Sequence, residues 1–164
     1  MKSLFVAVVG VALLSAAGVA GQPKSTSIQG VWQTVEVSFP GPPARTISIP
    51  QPRPNLAIFT AKHYSRVQVD AEGPRSIPAD IAKASAEELR AVWGPFVGEA
   101  GTYEISEGSV ITMRPFVAKN PAAMKSGAFT TWSYKLEGNT VWVTAKSNQN
   151  GPVDHVTIKA VRVE

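Results

Sequence analysis

Histidine occurs twice in this chain, at His63 and His155, and cysteine does not occur at all. A metal site needs three or four convergent ligands, and the two histidines are too far apart in sequence to supply local ligand spacing. No metal is expected. Without thiols there is also no disulfide framework, no cysteine nucleophile and no lipidated N-terminal cysteine. What remains for chemistry is a short set. His63 stands beside Tyr64 and near Arg66, a group able to orient a carboxylate or to exchange protons near neutral pH. A strand histidine next to a hairpin is more often a structural hydrogen-bonding group. Glu104 and Arg114 are the other charged candidates for acid-base work. No serine lies in a Gly-x-Ser-x-Gly elbow, and there is neither a phosphate loop nor a dinucleotide glycine fingerprint, so no cofactor is expected.

The elements that would position these residues are strands. From Gly101 to Ser147 four runs rich in β-branched and aromatic residues follow one another, each ending in Gly, Asn or Pro where the backbone reverses. This is the pattern of an antiparallel meander. Upstream, Ile28 to Phe39 alternates as a first strand, and Leu56–Thr60 and His63–Val69 form a hairpin across Ala61-Lys62. Between them, residues 40–54 hold six prolines, which limits that piece to a short edge strand or an extended loop over the sheet. One helix is predicted: Ser85 with Glu88 makes a capping box, Leu89, Val92, Trp93 and Phe96 form an apolar stripe, and Gly94-Pro95 ends it. Asp154 to Val163 is the last strand. Eight or nine strands with no repeat must close to leave no exposed edge. The expected fold is all-β: an up-and-down antiparallel β-barrel of eight to ten strands with one short helix.

The start of the chain belongs to a different unit. Met1-Lys2-Ser3, an apolar run from Leu4 to Ala17 and small residues around Ala20-Gly21 make a signal-peptide pattern over residues 1–21. The run is shorter than the roughly 20 residues a spanning helix needs, so no integral span is expected once it is removed. Residues 22–27 form a flexible lead and 28–164 the barrel domain. Export, to a bacterial periplasm or the medium, is the expected localisation. The formal charge of +4 falls by one with Lys2, and seven arginines spread from Arg45 to Arg162 make no run. A nucleic-acid partner is not expected.

Alternation gives parity along each strand. Ala128, Thr130, Trp132, Tyr134 and Leu136 share a face that is expected to look inward, because two large aromatics are costly to leave in water. Val110, Thr112, Arg114 and Phe116 share a face of the neighbouring strand. If it also looks inward, Arg114 is a lumenal charge in need of Glu104 or a ligand carboxylate; if outward, it meets solvent. Both orientations stay open. In a closed barrel the first and last strands pair, which is expected to stack Arg162 on Trp32 as a cation-π contact at the barrel base.

Gly30-Val31-Trp32 on the first strand with an arginine on the last resembles the lipocalin and wider calycin signature. The series Ile58 to Ser65, Trp93-Gly94-Pro95-Phe96, Gly101-Thr102-Tyr103-Glu104 and Arg114 to Pro121, in that order, is similar to bacterial exported lipocalin-like domain proteins. The resemblance spans Gln29 to Val163. It implies a small barrel with an internal cavity for a small, mostly apolar or amphipathic molecule. The ligand-contacting residues expected are Phe59, His63, Tyr64, Tyr103, Arg114, Phe116, Trp132 and Tyr134, with Arg114 or His63 as polar anchor. Two other readings stand beside it: a small-barrel enzyme using His63, Tyr64, Glu104 or Arg114, and an interaction module with a filled barrel whose proline-rich stretch meets a partner. The sequence leaves the oligomeric state open.

Overall fold

The computed structural model describes residues 27–48, 54–71 and 73–164. The leader assigned to residues 1–21, and nearly all of the lead after it, lie outside the described residues.

The strands are β1 (Gly30–Phe39), β2 (Arg45–Ser48), β3 (Asn55–Phe59), β4 (His63–Val69), β5 (Phe96–Ser106), β6 (Val110–Ala118), β7 (Thr130–Glu137), β8 (Thr140–Asn148), β9 (Gly151–Pro152) and β10 (Thr157–Arg162). Helix α1 (Ala86–Trp93) lies between β4 and β5. Eight strands close a ring in the order β1, β3, β4, β5, β6, β7, β8, β10, every pair antiparallel, with β10 returning to β1. This is an up-and-down barrel with one short α-helix. The other two strands are edge pieces. β9 is a two-residue strand that pairs antiparallel with the end of β8, and β2, from the proline-rich stretch, pairs with the far half of β1 as an exposed flap. β1 can carry both neighbours on one edge because β3 occupies only Gly30 to Trp32 and β2 only Glu36 to Phe39.

Closure is held at the base. Trp32 pairs with Arg162 in register, and the Arg162 Cζ lies 4.2 Å from the Trp32 ring centroid. The guanidinium also donates to the carbonyls of Gln29 and, at 2.7 Å, of Ser27. Trp32 Nε1 donates to Ile28 O at 2.7 Å. Residues 27–29 are thereby drawn across the barrel bottom, and Ile28, 1% exposed, becomes its plug. Gly30 is required here: its φ is +133°, and a Cβ would sit 2.1 Å from the Arg162 guanidinium. Above this floor, Tyr64, Tyr103, Ile111, Met113, Val141 and Ala160 complete the buried core, with Phe59, Trp132, Tyr134 and Leu136 packed against them. The aromatic face of β7 therefore looks inward.

Three bulges shape the walls, one of them between β7 and β8, where Lys146 is the extra residue. In β1 the register jumps between Thr34 and Glu36. Next to it the Asn55 side chain replaces a ladder partner, accepting from Thr34 N at 2.6 Å and donating to Thr34 O at 3.2 Å. Between β5 and β6 the jump falls at Ala100 and Gly101, whose partners Val117 and Pro115 leave Phe116 of β6 extra, and Pro115 has no N–H to give the ladder. A Cβ on Gly101 would meet Arg114 O at 2.1 Å, so only glycine fits.

The helix is shorter than its predicted stripe. Ser85 and Glu88 form the reciprocal capping box, with Glu88 N to Ser85 Oγ at 3.2 Å and Ser85 N to Glu88 Oε2 at 2.7 Å. These bonds hold the exposed Glu88 carboxyl below its ordinary pKa. Pro95 stops the helix, and Phe96, expected on its apolar stripe, instead begins β5. Lys119 Nζ then binds the carbonyls of Trp93, Gly94 and Phe96, the last two at 2.9 and 2.7 Å, tying the helix exit to the end of β6.

The seam carries a quantitative expectation. Trp32→Ala removes a fully buried indole and should cost about 3–5 kcal/mol. Arg162→Lys keeps the charge but loses the planar stack and the fork, and should cost about 1–2 kcal/mol. Urea unfolding of both variants checks this; an Arg162→Lys midpoint equal to wild type would mean the stack contributes nothing to closure.

Candidate functional site

Closing the barrel over an apolar floor leaves space above it. An apolar cavity of about 80 Å³ sits on Ile28 and Trp32, walled by Phe59, Ile111, Met113 and Trp132. It adjoins a wider mouth of about 390 Å³ lined by Val37, Phe39, Ile47, Val69 and Val156. Thr34, Gln68 and Ile158 line both, so the two spaces share a wall and are together called the funnel. The inner part alone is smaller than the roughly 300 Å³ at which sites for drug-sized ligands begin.

One wall of the funnel is polar. β4 points Tyr64, Arg66 and Gln68 to the same side, and β5 answers with Glu99, paired directly with Arg66. Arg66 Nε donates to Glu99 Oε1 at 3.0 Å, and Tyr64 Oη donates to the same oxygen at 3.2 Å. The Glu99 side chain is 12% exposed and that of Arg66 29%. Among the described residues neither Nη of Arg66 has a protein partner. At the mouth, Gln68 Nε2 reaches both Asp70 oxygens at 3.0 Å.

The aromatic side of the floor is ordered by the ring of Phe59, which meets Tyr103 edge-on at 5.3 Å and Tyr64 at 6.2 Å. Tyr103 Oη donates to Thr60 O at 2.6 Å. Burial is the main cause that pushes the Tyr64 phenol far above its ordinary pKa, reinforced by the Glu99 carboxylate and partly opposed by Arg66. Burial, then Tyr134, raises Tyr103. Both phenols are hydrogen-bond donors held in the neutral form, the opposite of a base activated for catalysis.

Of the residues expected to touch a ligand, Phe59, Tyr64, Tyr103, Trp132 and Tyr134 face the interior, and Phe59, Tyr64 and Trp132 line the cavity itself. The other three are corrected by the structure. Ile111 and Met113 take the inward positions of β6, so Thr112 and Arg114 look out. Arg114 pairs with Glu104 at 3.3 Å on the surface, both side chains at least half exposed. Phe116 is 63% exposed and meets exposed His63 edge-on at 6.3 Å, also outside. Neither Arg114 nor His63 can anchor a molecule in the lumen. His63, Glu104 and Arg114 stand across the wall from Tyr64, so the four candidates for acid-base work do not converge on the cavity. His155 lies elsewhere, its Nδ1 3.1 Å from Ala145 O.

Among the described residues no group of three His, Asp or Glu side chains could hold a metal ion, and no helix is long and apolar enough to cross a membrane. No protein-family model matches the chain, and no curated protein matches it in sequence. The closed antiparallel barrel with one helix agrees with the calycin and lipocalin fold in general.

The neutral tyrosine has a measurable consequence. The unfolded chain ionises its tyrosines near pH 10, whereas Tyr64 keeps its proton in the barrel. Its contribution to stability is therefore whole below about pH 10 and declines above it, by up to about 1.4 kcal/mol per pH unit. Thermal melts from pH 9 to 12 should show a shallower decline for Tyr64→Phe than for wild type. Parallel curves would mean that the Tyr64 hydroxyl is hydrated.

Proposed function

We propose that this protein binds a small apolar or amphipathic molecule inside its barrel and acts as a carrier or sensor rather than a catalyst. The observation that carries the reading is the funnel: an apolar cavity closed below by Ile28 and Trp32, adjoining a wider mouth, and bearing one polar wall. A barrel built only to be stable would gain by filling that space, because each void forfeits dispersion contacts. The size of the inner part selects a short or slender apolar group, with bulkier parts of the ligand left at the mouth. Phe59, Tyr64 and Trp132 are the contacts at depth, while Tyr103 and Tyr134 support them from the core.

The same proposal includes export. It rests on the pattern of Met1-Lys2-Ser3, the apolar run to Ala17 and the small residues near Ala20. The barrel of residues 28–164 is then the working part of the exported chain.

Native mass spectrometry of the protein purified gently from its producing cells tests both parts. The expected result is a chain starting after residue 20 or 21, with a stoichiometric mass excess that disappears on denaturation and identifies the ligand class. A chain of full sequence mass would overturn export. A protein that carries no excess and leaves tryptophan fluorescence unchanged through a panel of short acids, alcohols and aromatics would instead support a barrel that serves as a scaffold for other contacts.

A further inference from the structure

Resting on the reading of the funnel as a ligand site, we infer that its ligand is a monocarboxylate with a short apolar group, and that Arg66 is the residue that takes the carboxylate. A guanidinium has five N–H donors. Arg66 commits its Nε to Glu99, leaving both Nη groups without a protein partner among the described residues, on a side chain that lines the cavity. In the unliganded barrel water can serve them, since the side chain is 29% exposed. A ligand that fills the cavity displaces that water, and each donor stripped without replacement is a loss. The occupant must therefore present acceptors to Arg66 while its remainder meets Ile111, Met113 and Trp132.

The arrangement narrows the acceptor further. Two Nη groups of one planar guanidinium match the two oxygens of a carboxylate, the bidentate pairing that is shorter and stronger than neutral hydrogen bonds. Glu99 has already neutralised Arg66 once, and the Glu99 side chain is only 12% exposed. A monoanion leaves the wall with one net negative charge, whereas a phosphate dianion would leave two beside an apolar cavity, where unpaired charge is most costly. Asp70, held by Gln68 at the mouth, repels an anion that stops short and favours one seated deeper, on Arg66. Tyr64, donating to the same Glu99 oxygen as Arg66, fixes the carboxylate that orients the guanidinium. Glu99 and Tyr64 are thus positioning residues, and Arg66 is the contact.

The test compares hexanoate, hexanamide and 1-hexanol, three probes of one chain length, by isothermal titration calorimetry at pH 7 with Trp fluorescence as a second readout. Hexanoate is expected to bind about 10- to 100-fold more tightly than 1-hexanol, the range that charge-assisted hydrogen bonds supply, with hexanamide between them. Arg66→Gln combined with Glu99→Gln leaves no unpaired charge in the wall and should reduce the preference to within about threefold. Arg66→Lys, which keeps the charge and loses the fork, should weaken it at least about fivefold, and serves if the double variant does not fold. Arg114→Gln, on the outer surface, should leave the preference intact. Equal binding of hexanoate and 1-hexanol, or a preference that survives both Arg66 variants, overturns the assignment while the ligand site stands. No binding of any probe overturns the assignment and the ligand site together.

Discussion

A single guanidinium stacked on one indole sits at the seam where this sheet closes into a barrel. Arg162 brings the last strand onto the first, and its remaining donors fasten residues 27–29 across the opening below Trp32. Everything above depends on that floor. Ile28 can be a buried plug only because the backbone carrying it is held by those bonds, and the apolar cavity keeps a bottom only because Ile28 is there. The contact itself is worth no more than about 2 kcal/mol. Its leverage comes from where it sits, at the one place where two otherwise open sheet edges must find each other.

The interior is divided by chemistry rather than by domains. β6, β7, β8 and β10 contribute aliphatic and aromatic side chains, whereas β4 and β5 contribute an ion pair braced by a phenol. Such a pair does not stabilise a fold better than well-packed apolar residues of the same volume would. Its presence on the wall of a cavity is easier to understand as a device for holding a guanidinium at a fixed angle. Two of the bulges border this wall: Asn55 mends β1 at Thr34, and Gly101 lets β5 pass Pro115 just below Glu99. A third lies on the apolar side, between β7 and β8 at Trp132.

Most of this architecture was legible in the sequence because period-two alternation and turn residues are local. The meander, the hairpin through Ala61-Lys62, the capping box at Ser85 and the inward face carrying Trp132 and Tyr134 all follow from neighbouring residues. The sign of a face is not local. On β6, Ile111 and Met113 on one side confront Val110 and Phe116 on the other, so hydrophobicity is nearly balanced and alternation alone does not choose the side bearing Arg114. Register with β5 decides it, since Met113 lies opposite buried Tyr103. The polar wall is hidden for a related reason. Arg66 shares parity with Tyr64, a signal present in the sequence, but its partner Glu99 falls in residues 96–100, where Phe96 fits a helical stripe and the strand pattern becomes clear only from Gly101. A short apolar run after a proline carries too little periodicity to distinguish the end of a helix from the start of a strand.

Pairing the first strand with the last also fixes when the structure can form. Arg162 reaches Ser27 across 135 positions of sequence, about as long a loop as the barrel contains, and barrels dominated by such contacts fold slowly. The hairpins from β3 to β8 can assemble as they are synthesised, because each strand pairs with its immediate successor. β1 cannot. Until β10 leaves the ribosome, the far edge of β1 has no partner, and the plug at Ile28 has nothing to hold it. The sheet thus stays open and edge-exposed until β10 is available, and becomes a barrel only when β10 pairs with β1.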